Sequence, residues 1–103
     1  MTDYERALLE ELSGLGKTSA EVAGQIRVRG IKGVRGNSHR YPIAVLVRQM
    51  GYSDVSAYVR IYATPVDSDG DPDLEVAIDT PAPVMAFITD FDNLLYTDLE
   101  ARR

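Results

Sequence analysis

The stretch VSAYVRIYAT, residues 55–64, alternates without a break: Val55, Ala57, Val59, Ile61 and Ala63 fall on one face, Tyr58, Arg60, Tyr62 and Thr64 on the other. A period of two marks a half-buried strand. Leu74, Val76 and Ile78 alternate in the same way with Glu75, Ala77 and Asp79. Between the two, TPVDSDGDP (64–72) is too polar and too rich in turn formers to be anything but a loop. These segments predict a two-stranded antiparallel hairpin over 55–63 and 74–78. Pairing would bring Arg60 or a neighbour near Glu75 or Asp79, a modest cross-strand attraction.

Helical spacing governs the sequence on both sides of that hairpin. Thr2-Asp3-Tyr4-Glu5 has capping-box spacing, and Tyr4, Leu8, Leu12 and Leu15 recur at helical intervals, which predicts a helix over Asp3–Ser13. Thr18-Ser19-Ala20-Glu21 opens a second helix with Val22, Ala23 and Ile26 inward, ending before Gly30. Residues 30–37 read as a loop. Ser38 or Arg40 precedes a third helix with Pro42 at its first position, Ile43, Leu46, Val47 and Met50 as its stripe, and Gly51 as its stop. Thr80-Pro81 begins a last helix with Val84, Phe87, Ile88, Phe91 and Leu95 as its apolar face, after which Tyr96 and Leu99 pack back onto the body. The predicted order is α-α-α-β-β-α, a compact α+β fold in one domain over residues 1–103.

Charge is distributed unevenly along this frame. From Val22 to Ser53 there are six cations, Arg27, Arg29, Lys32, Arg35, Arg40 and Arg48, and no acid, although the whole chain has a net charge of -5. A positive segment on an acidic body draws an acidic partner to one place. Exposed ion pairs contribute only about 0–1 kcal/mol each, so stability alone hardly accounts for the segregation. In RVRGIKGVRGNSHR (27–40) glycines would let the backbone approach a ligand while Arg forks onto phosphate or carboxylate. Arg27, Arg29, Lys32, Arg35, His39, Arg40 and Arg48 are the candidate partner- or anion-binding residues.

Nucleic acid is the competing ligand. Three helices before a hairpin is winged-helix order, yet the presumed wing carries Asp67, Asp69, Asp71 and Asp73, and the turn before the third helix exceeds that of a helix-turn-helix. Gly30-Ile31-Lys32-Gly33 has the G-x-x-G spacing of a KH domain, but the strand that should precede its first helix is replaced by a helix. The same glycines fit neither a Walker loop nor a Rossmann fingerprint.

Catalysis, metals and cofactors have little footing. The chain has no Cys and one His, and no general base or nucleophile is paired with an orienting partner. The 67–73 loop resembles the start of a calcium loop, but Pro72 and Ile78 stand where Gly and a bidentate Glu are needed. No cofactor and no metal site are expected. The first residues lack an apolar signal segment and the longest apolar run is far below a membrane span, which predicts a cytoplasmic protein with no membrane partner.

Gly30, Gly33 and Gly36, then Tyr41-Pro42-Ile43-Ala44, then Pro83-Val84 with Phe87 and Phe91-Asp92, give the chain a further character. In these positions it resembles a group of small uncharacterised proteins of actinobacteria and their phages. That pattern often places Cys before the Pro, where this chain has Tyr41. The resemblance implies provenance and attaches no activity. The expected function is a non-enzymatic interaction module that binds an acidic protein surface through the basic loop and third helix. The alternative is a nucleic-acid-binding regulator of winged-helix-like or KH-like type. Self-association would join the basic loop of one molecule to the 67–73 loop of another.

Overall fold

The alternating stretch folds back on itself. In the computed structural model, which describes residues 3–66 and 75–101, it supplies most of two strands, β1 (Tyr52–Ala57) and β2 (Arg60–Pro65). With β3 (Val76–Asp79) they form a three-stranded antiparallel sheet in the order β1-β2-β3. The expected two-stranded hairpin is therefore corrected. Its β2–β3 pair is present, and a further hairpin precedes it.

Physical causes for this turn lie outside the local sequence. Ala57 pairs with Ile61, so residues of the same parity keep the same face across the bend and the alternation continues through it. No Gly, Pro, Asn or Asp marks Tyr58-Val59. Thr80 supplies the missing turn signal from a distance: its N–H donates to the Val59 carbonyl at 3.1 Å and its hydroxyl donates to the Tyr58 carbonyl. Earlier in β1, Asp54 adopts a left-handed φ of 51°, and the register shifts between Ser53 and Ser56. This bulge lets Tyr52 and Val55 both face the core despite their odd spacing.

Arg60 stands opposite Asp79, with Nε 3.7 Å from Oδ1, as the cross-strand argument anticipates. Both side chains are exposed, so the pair contributes at most about 1 kcal/mol.

The helices follow their spacing closely. α1 (Asp3–Ser13) buries Leu8 and Leu12, and Leu15 continues the stripe beyond its end. Its Glu5 carboxylate accepts the Ala77 N–H at 3.1 Å, covering an edge amide of β3. Thr2 lies outside the described residues. Before α2 (Ser19–Val28), Thr18 Oγ1 accepts the Glu21 N–H, while the Glu21 carboxylate accepts the Lys17 N–H, one residue earlier than a standard capping box.

α3 (Pro42–Gln49) starts with Pro42 as expected, but Tyr41, not Ser38 or Arg40, is its N-cap. Among the described residues, no side chain caps it. α4 (Ala82–Asp92) has Pro81 as N-cap and buries Val84, Phe87, Ile88 and Phe91. α2 and α1 pack on α4, α3 packs on β1, and Phe87, Phe91, Ile26, Val47 and Ile61 belong to one core.

Two helices end in the same hydrogen-bonded motif with different residues. After α2, Gly30 (φ 67°) donates to Arg27 O and Ile31 N donates to Ile26 O, with both isoleucines buried. After α4, Leu94 (φ 69°) donates to Phe91 O and Leu95 N donates to Asp90 O. Glycine occupies the left-handed region freely, whereas a leucine there costs about 1–2 kcal/mol. The bend also corrects the expected place of Leu95, which leaves the apolar face of α4 and is 61% exposed.

Beyond the bend, Tyr96 stacks on Phe87 at 5.4 Å, a 3₁₀ turn covers Thr97–Leu99, and Leu99 is 2% exposed. This is the packing back that the apolar spacing predicts. We call Tyr96–Ala101 the strap.

Candidate interaction surface

The glycines of the basic loop serve the fold. Gly30 stops α2. At Gly33 a Cβ would fall 2.4 Å from Pro42 N and 2.5 Å from Arg40 O, so only glycine fits beside that backbone. Gly33 N donates to Leu99 O at 2.9 Å and Gly33 O accepts from Ala101 N at 2.7 Å, a parallel bridge to the strap. Val34 N donates to Arg40 O at 2.7 Å and Gly36 N to Asp92 Oδ1 at 3.0 Å. The amides of Gly33, Val34 and Gly36 thus donate inward, where a phosphate cradle would need them outward.

Asp92 also accepts the Tyr41 hydroxyl at 2.5 Å, so one carboxylate ties the loop and the start of α3 to the end of α4. Tyr41 is 3% exposed, and its burial, reinforced by the bond to Asp92, raises the phenol above its ordinary value.

The seven candidate side chains separate into distinct places. Arg27 Nε lies 2.6 Å from Asp98 Oδ2, and its guanidinium stands over the Tyr96 ring at 5.6 Å. The hydrogen bond from Arg27 holds the Asp98 carboxyl below its usual range, and Lys32 adds to that field. Arg35 Nε lies 3.2 Å from Glu100 Oε1. Arg27, Lys32 and Arg35 are therefore gathered around the strap. Arg29 lines a shallow hollow with Glu10 and Glu11 of α1.

His39, Arg40 and Arg48 form the other group. His39 Nδ1 lies 3.1 Å from Val55 O, and Ala57 N donates to Ser38 O at 2.9 Å, so the 38–39 backbone and the imidazole cover the outer edge of β1. Arg48 donates to the His39 carbonyl at 2.6 Å. Among the described residues, no carboxylate lies within ion-pair distance of Arg40 or Arg48, and both are exposed.

The β1–β2 turn adjoins this group. Tyr58 meets Tyr41 edge-on at 6.1 Å, and Tyr58 and Val59 are 48% and 66% exposed. Sequence spacing assigned Val59 to the buried face of a strand, so it could not nominate this apolar tip. Spacing does not nominate Asp98 and Glu100, which lie far along the chain from the Arg27 and Arg35 they meet, and sign segregation is their only signal. Asp92, equally distant in sequence, meets the Gly36 amide and the Tyr41 hydroxyl rather than a cation.

The 67–73 loop, invoked for self-association, lies outside the described residues. Among the described residues, no cluster of three or more His, Asp or Glu side chains converges as metal ligands, and no helix is long and apolar enough to cross a membrane. Compared with protein-family models, curated proteins and solved structures, the chain has no match.

Proposed function

We propose that the protein is a non-enzymatic interaction module that binds an acidic protein surface through Arg40 and Arg48, with Tyr58 and Val59 as the adjoining apolar contact. The observation that carries this reading is the juxtaposition of cations lacking a carboxylate partner among the described residues with an exposed aromatic and aliphatic turn. Arg and Tyr are enriched at protein interfaces and among the residues that carry most of their binding energy. The cation group steers an acidic partner and the turn supplies area to desolvate. His39, whose ring is engaged with Val55 O, shapes this edge.

Nucleic acid is the weaker ligand on the same face. The amides of Gly33, Val34 and Gly36 are bonded within the chain, and α3 buries Ile43, Leu46 and Val47, leaving Arg48 and Gln49 of that helix exposed. Capture of binding partners by the immobilised protein at low and high salt, with Arg40→Glu/Arg48→Glu and Arg6→Glu compared, tests the proposal. Acidic proteins are expected to be retained by native protein and Arg6→Glu at low salt, then lost in the double variant. A mobility shift of random duplex or single strand at about 50 mM salt, with no acidic protein retained, overturns it.

A further inference from the structure

The strap is held by contacts that would be the same if another molecule supplied it. Gly33 bridges Leu99 and Ala101 through the backbone, Leu99 enters the core, and Asp98 and Glu100 meet Arg27 and Arg35 on either side. Tyr96 stacks on Phe87, and its hydroxyl lies 2.8 Å from Ser19 Oγ, which donates to Asp90 at 2.7 Å. Within the strap, Leu99 N donates to Tyr96 O and Glu100 N to Thr97 O, so it carries its own shape.

The connection to α4 is the weak point. Leu94 holds a left-handed backbone that leucine disfavours, and Leu94 and Leu95 are both exposed. If α4 continued straight, Leu94 would return to helical φ. Leu95 would then stand four residues after Phe91 and seven after Ile88, on the stripe already buried.

We infer that Asn93–Leu95 is a hinge and that two copies of this chain exchange their straps reciprocally, each Tyr96–Ala101 segment docking on the partner copy's Gly33 edge. Exchange keeps every strap contact and relieves Leu94 in both molecules, and its two-fold reciprocity closes the assembly at a dimer. Short strained hinges favour this outcome. The contacts involved are those of the Arg27–Arg35 edge, so the inference stands or falls apart from the partner face at Arg40 and Arg48.

Complementary charge reversal tests it. One variant carries Arg27→Asp and Arg35→Asp, the other Asp98→Arg and Glu100→Arg. Each is mismatched within its own chain, whereas exchange between the two restores both charge pairs at both edges. Light scattering is expected to give about twice the chain mass for the equimolar mixture, reached at a lower concentration than either variant needs alone, because only the mixed dimer restores the charge pairs. A mixture that stays monomeric overturns the inference. If either variant fails to fold, native protein refolded at about millimolar concentration, the range of intramolecular effective concentrations, decides instead. A dimer that Leu94→Gly abolishes supports exchange, and a native protein found only as monomer, or a dimer unaffected by Leu94→Gly, refutes it.

Discussion

Arg27 and Arg35 lie against the carboxylates of the strap, beside a glycine that admits no side chain and a leucine that is almost wholly buried. Arg40 and Arg48 lie beside an exposed turn, and among the described residues the one side-chain bond found for the pair runs from Arg48 to the His39 carbonyl. In sequence these pairs belong to one uninterrupted basic segment. In space the first meets carboxylates of the strap, and the second has no carboxylate within ion-pair distance among the described residues. Charge of one sign along a chain therefore does not define one surface; what the chain itself brings opposite each cation divides it.

The largest effect is expected at Gly33. Gly33→Ala pushes a methyl group into the Arg40–Pro42 backbone and should destabilise the fold by about 3 kcal/mol, read as a lower midpoint in denaturant. Tyr41 stands at the seam between the two regions. Tyr41→Phe removes its bond to Asp92 and should cost about 1–2 kcal/mol.

Tyr41 also sets an alkaline limit. Its folded-state value is raised above the ordinary 10.0, so the folded form retains a proton that the unfolded form loses. Its contribution is full below about pH 10 and declines as pH rises beyond it. Thermal unfolding as a function of pH should show that decline in the native protein and a shallower one in Tyr41→Phe.

Smaller changes sharpen the contrast. Leu94→Gly places glycine where the α2 stop already has it and should raise stability by up to about 1 kcal/mol, strain relief outweighing the greater freedom of the unfolded chain. A lower thermal midpoint in that variant would show that Leu94 is not strained. Arg40→Glu with Arg48→Glu should move the denaturation midpoint least, within about 0.5 kcal/mol, because these side chains lie at the surface.

Local chemistry explains what was legible. The helix stripes, the Thr18 cap, Pro42 at the start of α3 and the pairing of Arg60 with Asp79 each depend on spacing within one element or one register. The turn at Tyr58-Val59 was hidden because its stabilising donors come from Thr80, some twenty residues away along the chain. Leu95 was misplaced because nothing in the apolar period marks a leucine in a glycine's conformation. Of the candidate site, the cations were visible. Their division was not, because it depends on Asp98 and Glu100 returning to Gly33 through a long-range bridge.

The most direct test is a titration of the folded protein with hexaglutamate at about 20 mM ionic strength, where the Debye length exceeds 10 Å, followed by amide and arginine side-chain resonances. Saturable shifts are expected at Arg40, Arg48, Tyr58 and Val59, with the Arg27 and Arg35 side chains unmoved. Shifts centred on Arg27 and Arg35, with the Arg40–Val59 face silent, would contradict it.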